Sequence, residues 1–127
     1  MNLLQQPRDS SLCGQTCVAM LADITLEESI KVFSTKGGTR TRDVVKALTS
    51  LGIKCGDKLI RLSTGVKKPD LCIVKLHFTD DKNTHWTVWN NGWFYDPGCR
   101  FTMREYPEFV RETSFLPIFD NEGSYRG

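Results

Sequence analysis

His85-Trp86-Thr87-Val88-Trp89-Asn90-Asn91-Gly92-Trp93-Phe94-Tyr95-Asp96-Pro97 reads as a β-hairpin ended by a turn. Trp86 and Val88 alternate with Thr87 and Trp89, the period-two pattern of a strand. Asn90-Asn91-Gly92 is an Asn-Gly hairpin signal. Trp93–Tyr95 is the returning strand, stopped at Asp96-Pro97-Gly98. Upstream, Pro69 precedes Leu71–Phe78, a β-rich run that predicts another strand, and Asp80–Asn83 reads as the polar turn between the two. Lys58–Leu62 fits a short strand. Downstream, Glu105–Glu112 fits a short helix and Ser114–Phe119 a last strand, and the tail from Asn121 is expected to be disordered. The C-terminal half is therefore expected to form an antiparallel sheet.

The N-terminal half has a different texture. Met1–Ser10 reads as extended, since Pro7 disfavours helix at Gln6. Asp9, Ser10 and Ser11 are turn and cap formers. A helix is expected from Cys13 to about Ala22, with Cys17, Met20, Leu21 and Ile24 as its apolar stripe. Thr25 and Glu28 have capping-box spacing and predict a second helix over Leu26–Phe33, broken by Gly37 and Gly38. Thr41 is read as the cap of a third, whose buried stripe is Val44, Val45, Leu48 and Leu51, with Gly52 just past its end. Helices first and an antiparallel sheet second define an α+β class.

The 127 residues fit one domain, expected over residues 1–127. Neither a signal peptide nor an apolar run of membrane-spanning length is visible, so the expected location is the cytoplasm. The net charge of +2 is too balanced to argue for nucleic-acid or membrane binding. Arg40, Arg42, Lys46 and Lys54 read as a solvated face. The five cysteines are odd in number and lack a secretory context, which argues against a disulfide framework.

Four features carry chemistry. Cys13 stands at a predicted helix start, where the dipole and unpaired N–H groups favour the thiolate. Gly14 beside it permits close approach. His85 opens a strand and fits the base that such a thiol needs from a distant part of the chain. His77, inside a predicted strand, fits a structural role better. Asp96 lies across the hairpin from His85 and is placed to orient the ring. Gln5 or Gln6 can donate an amide N–H to an oxyanion. A zinc site of Cys13, Cys17 and a histidine is an alternative, but it lacks a second ligand pair. The hairpin aromatics are read mainly as core, with one or two lining a groove.

Taken in order, Gln5-Gln6, Cys13-Gly14 with its apolar helix, His85-Trp86 and Asp96-Pro97 resemble the papain-like cysteine peptidases, most closely the small C39-like branch. The resemblance covers roughly residues 5 to 24 and 71 to 98. It implies a papain-like fold, with Cys13 as nucleophile, His85 as base and acid, and Asp96 as orienting group. It implies Gln6 as oxyanion donor, or Gln5 if the spacer loops out, since Gln6 is seven residues before Cys13 where six is frequent. The implied activity is amide hydrolysis of a peptide or protein, as a peptidase or deamidase, through a thioester and without cofactor or metal. A papain-like binding module without turnover is the alternative. Substrate identity and oligomeric state stay open.

Overall fold

The computed structural model describes residues 1–33, 35, 37–79 and 83–119. Three helices, α1 (Cys13–Ala22), α2 (Leu26–Val32) and α3 (Thr41–Ser50), precede five strands: β1 (Ile60–Arg61), β2 (Leu71–Phe78), β3 (Thr84–Asn90), β4 (Trp93–Tyr95) and β5 (Val110–Pro117). The strands form one antiparallel sheet in the order β1-β5-β2-β3-β4. The class is α+β. The tail expected from Asn121, and the turn expected at Asp80–Asn83 apart from Asn83, lie outside the described residues.

Local chemistry sets the helix ends. At α2, Thr25 Oγ1 accepts from the Glu28 N–H at 3.1 Å while the Glu28 carboxylate accepts from the Thr25 N–H at 3.0 Å, closing the capping box. Phe33 is the C-terminal cap residue and not part of the helix. At α3 the cap lies one residue earlier than Thr41: Arg40 is the cap, and its N–H donates to Asp43 Oδ2 at 2.8 Å. Thr41 is already helical. Past Leu51, Gly52 has a φ of 78°. Its N–H bonds to the Thr49 carbonyl and the Ile53 N–H to the Leu48 carbonyl, the double closure that a left-handed glycine permits. The four basic residues Arg40, Arg42, Lys46 and Lys54 are all exposed.

The helix α1 is enclosed far beyond its expected apolar stripe. Every residue from Gly14 to Met20 is buried, because the helix lies between β3 on one side and α2 and α3 on the other. Most of its polar groups find partners inside, the buried Gln15 Oε1 excepted. Gln15 Nε2 donates to the Gly37 carbonyl at 2.8 Å, Ser29 Oγ to the Gln15 carbonyl at 2.7 Å, and Thr16 Oγ1 to the Leu12 carbonyl at 2.8 Å.

Alternation along β2 divides the sheet into two faces. Leu71 and Ile73 join Trp86, Val88, Leu116 and the helices in the larger core. Cys72, Val74 and Leu76 join Phe94 and Phe115 in a second core on the opposite face, covered in part by Met103, Tyr106 and Val110. As the central strand, β2 is buried on both faces.

One expected element is absent. Residues 105–109 form no helix, and Val110–Glu112 already belong to β5, where Leu76, His77 and Phe78 pair with Glu112, Arg111 and Val110. Pro107 explains this locally, since it lacks an N–H and drives Tyr106 away from helical backbone. The open edge of β2 then supplies ladder bonds that a short exposed helix cannot match. The strand expected at Ser114–Phe119 thus begins four residues earlier, and Ile118 extends it by a bridge to Cys55.

Candidate active site

The hairpin positions the imidazole. β3 and β4 pair as Val88 with Tyr95, Trp89 with Phe94 and Asn90 with Trp93. The two linking residues, Asn91 and Gly92, have φ of 50° and 91°, the left-handed pair that a tight hairpin requires. Continuing this register past Tyr95 sets Thr87 across from Asp96. His85 is therefore not directly opposite Asp96 but one diagonal step away on the same face, still within side-chain reach. His85 Nε2 meets Asp96 Oδ1 at 2.6 Å.

The early end of β4 leaves room for Cys13. In a two-residue hairpin closed by Asn90 and Trp93, residues 90, 88 and 86 turn their backbone groups toward the partner strand. β4 stops at Tyr95, and Pro97 beyond it has no N–H. The Trp86 N–H, left over at this edge, and the N–H of Gly14 both act on the Cys13 sulfur and lower its thiol. No side chain caps α1: Leu12 is its cap residue, and neither Asp9, Ser10 nor Ser11 serves. The sulfur of Cys13 takes the place that a capping oxygen would occupy. Gly14 has its own reason to be glycine. An added Cβ would overlap Thr39 Oγ1 and touch the Trp86 ring, so the close approach is to Thr39.

Cys13 and His85 line one cleft and each shifts the ionisation of the other. With Nε2 committed to Asp96, Nδ1 is the ring nitrogen left for sulfur. Burial alone would raise the Cys13 thiol, but the hydrogen bond and charge of His85, with the two backbone N–H groups, bring it below its ordinary value. Burial alone would lower His85. The hydrogen bonds and negative charges of Asp96 and Cys13 outweigh it and raise the imidazole to about 10. Both directions favour a thiolate beside an imidazolium. Asp96 is 4% exposed. Burial would raise its carboxyl, yet His85, Tyr106 and the Gly98 N–H hold it below the usual range.

Tyr106 is a site residue that sequence reasoning missed. Its hydroxyl donates to Asp96 Oδ2 at 2.5 Å and lies 3.1 Å from Thr87 Oγ1. Its ring packs on Phe94 with centroids 4.6 Å apart. Gly98 N–H donates to Asp96 Oδ1 at 2.7 Å. Nothing in the local sequence marks Tyr106, because its role comes from the loop that folds over the second core.

Gln6 and Gln5 part company. Gln6 is half-buried and lines the same cleft as Cys13, His85 and Trp86, a cavity of about 460 Å³. Gln5 is exposed and does not line that cleft. The Gln6 main chain is tied to the hairpin by its N–H to the Pro97 carbonyl at 2.8 Å. Its Nε2 donates to the Ser10 carbonyl at 2.9 Å. Its second acceptor, Ser10 Oγ, is longer at 3.4 Å, and is the contact that another acceptor would displace.

The other candidates lie elsewhere. His77 sits in the β2 ladder opposite Thr84 and Arg111. Cys17 is fully buried in the larger core. Burial and the nearby Cys13 and Asp96 charges push its thiol well up. Among the described residues no group of three or more His, Cys, Asp or Glu side chains is arranged to hold a metal ion. No helix there is long and apolar enough to cross a membrane. Trp86 is buried at the cleft, Trp89 lies under Lys68 on the outer face, and Trp93 stacks under Arg104. No family model matches the chain, and no curated protein sequence matches it.

Proposed function

We propose that the chain is a cysteine-nucleophile amide hydrolase of the papain-like type, acting on a peptide or protein through a thioester on Cys13. The observation that carries this reading is the single imidazole held between a thiol and a carboxylate. His85 contacts Cys13, and Asp96 grips its other nitrogen at 2.6 Å. A helix that presents its first-turn thiol to the strand bearing the base is the arrangement expected of this type.

In the reaction the Cys13 thiolate attacks the amide carbonyl carbon and a carbon–sulfur bond forms. The oxyanion takes the first-turn N–H of Cys13 and the Gln6 N–H that otherwise makes the long contact to Ser10 Oγ. The tetrahedral adduct collapses as His85 passes its Nδ1 proton to the nitrogen, the carbon–nitrogen bond breaks, and an amine or ammonia leaves. Neutral His85 then takes a proton from water. The hydroxide attacks the thioester, the carbon–sulfur bond breaks, and thiolate and imidazolium are restored. Asp96 keeps the ring oriented and its charge balanced throughout.

Iodoacetamide labelling tests the proposal. Cys13 should react faster than Cys17, Cys55, Cys72 and Cys99, with an inflection below the ordinary cysteine value of about 8.5. Uniform labelling of the accessible thiols would remove the basis for it. Mass spectrometry of cell proteins treated with wild type or with Cys13→Ala then separates two outcomes. New termini mean proteolysis, and a gain of about one mass unit means deamidation.

A further inference from the structure

A second cavity, about 470 Å³, adjoins the first and shares Gln6 and His85 with it. Cys13 opens to the first cavity only. The second is bounded by the chain around Gln5–Asp9 and by Pro97, Gly98 and Arg100. An added Cβ on Gly98 would lie 3.8 Å from His85 Cε1 and Nε2, so the glycine keeps this side of the ring open.

The two cavities divide a substrate. During acylation the acyl part stays on the Cys13 sulfur. The leaving nitrogen is bonded to the carbon on sulfur and takes the Nδ1 proton, so it sits beside both, and the chain that follows it runs away from sulfur past Gln6 and His85, the wall that the two cavities share. The second cavity is therefore the room for the leaving group, and ammonia would need no such room. Its charge is distinctive. Arg8 and Arg100 both line it and both are exposed, and neither forms a salt bridge among the described residues. Asp9 is the one acidic side chain in the lining, so the two arginines leave one positive charge in excess, beside that of the His85 imidazolium. Arginine offers paired N–H donors that match a carboxylate.

Resting on the amide-hydrolase reading, we infer that the enzyme is a peptidase for bonds whose leaving side carries a carboxylate, recognised by Arg8 and Arg100. The carboxylate is that of an Asp or Glu side chain or of a chain end.

Two aromatic disulfides test the site directly, since each leaves a thiol in place of the amine. One is dithiobis-nitrobenzoate, whose two halves each bear a carboxylate, so that loss of the preference on removing the arginines locates the anion; the other is uncharged dithiodipyridine. The Cys13 rate is obtained by subtracting the rate of Cys13→Ala. The preference of wild type for the anionic reagent over the neutral one should fall about five-fold in Arg8→Gln/Arg100→Gln, and should narrow with added salt. Peptides from a digested proteome, with free and with amidated C-termini, identify the source. Cuts before internal Asp or Glu in both sets mean a side chain, and cuts near the end that vanish on amidation mean the chain terminus. An unchanged reagent preference in the double variant, with Cys13 still fast, overturns the inference and leaves the hydrolase intact. A Cys13 no faster than the other thiols overturns both.

Discussion

Two cysteines stand one helical turn apart in α1, and their surroundings drive them in opposite directions. Cys13 lies at the uncapped first turn, with Gly14 and Trp86 N–H groups and an imidazole around its sulfur. Cys17 lies fully buried among apolar neighbours. Burial opposes ionisation of both thiols. Only Cys13 has donors and a cation to overcome it, so its thiol falls below the ordinary value while that of Cys17 rises well above it. Depth in the helix alone does not decide the ionisation of a thiol. What matters is the strand edge that supplies Trp86 N–H and His85.

The comparison breaks most completely at His85. His85→Ala removes the hydrogen bond and the positive charge that lower Cys13 and leaves the burial that raises it. Cys13 should then move toward Cys17, held back only by the Gly14 and Trp86 N–H groups, with its alkylation inflection raised and amide hydrolysis reduced by about 1,000-fold or more. A pH–rate profile of Cys13 alkylation by mass spectrometry reads the first and turnover of a cleaved peptide the second. In the wild type the two profiles should differ in shape. Alkylation needs only the thiolate and should rise through the Cys13 inflection to a plateau. Hydrolysis also needs the imidazolium and should fall again as pH passes the His85 value of about 10. The His85 contribution to stability follows the same sign. It is complete below the unfolded histidine value of about 6.5 and is lost as pH rises toward the folded one.

Asp96→Asn is the next largest change. The neutral amide no longer holds the imidazolium, so His85 falls and Cys13 rises together. Hydrolysis should drop by about 100-fold, with the alkaline limb of its profile displaced to lower pH. A limb that stays in place would mean that Asp96 is only a turn residue.

Much of this arrangement was legible because it is local. The Thr25–Glu28 box, the Gly52 stop and the Asn91-Gly92 turn are each written in a few adjacent residues. The hairpin then carries His85 and Asp96 to one face by register alone. The diagonal offset escaped notice because the strand alternation that predicts a hairpin does not say which pair closes it. Helix propensity around Glu105–Glu112 misled, since nothing in that window reports the open β2 edge opposite Arg111. Tyr106 was lost with it. The complete burial of α1 is likewise not written in its own stretch, because Gln15 finds its partner at Gly37, in a distant segment.

Tyr106→Phe is a smaller perturbation on the same axis. It leaves Asp96 the Gly98 N–H and His85 but removes the 2.5 Å bond to Oδ2. As a positioning residue, Tyr106 should affect hydrolysis by about three- to ten-fold, since it acts through Asp96 and His85. The sharper readout is acid stability. Because the folded Asp96 carboxyl is depressed, its contribution is present above the unfolded value of about 3.9 and is lost as pH falls through the folded one. Losing a donor raises the folded value, so the variant should unfold at a higher pH than wild type in an acid titration followed by circular dichroism.

Cys17 closes the comparison from its inert side, where the smallest effect on Cys13 is expected. Cys17→Ser places a hydroxyl in an apolar core, at a cost of about 1–3 kcal/mol in urea unfolding. The cost should sit toward the lower end, because a helical hydroxyl at this position can bond back to the Cys13 carbonyl as Thr16 Oγ1 does to Leu12. Cys17→Ala removes the hydroxyl from the test, so the difference between the two variants isolates its burial. In both, Cys13 should alkylate within about two-fold of wild type, because its thiolate depends on His85 and the strand edge and not on its helical neighbour. If either substitution slowed Cys13 as severely as His85→Ala does, the two sulfurs would have to act as one site. A shared metal would then explain the chemistry better than a nucleophile with its base.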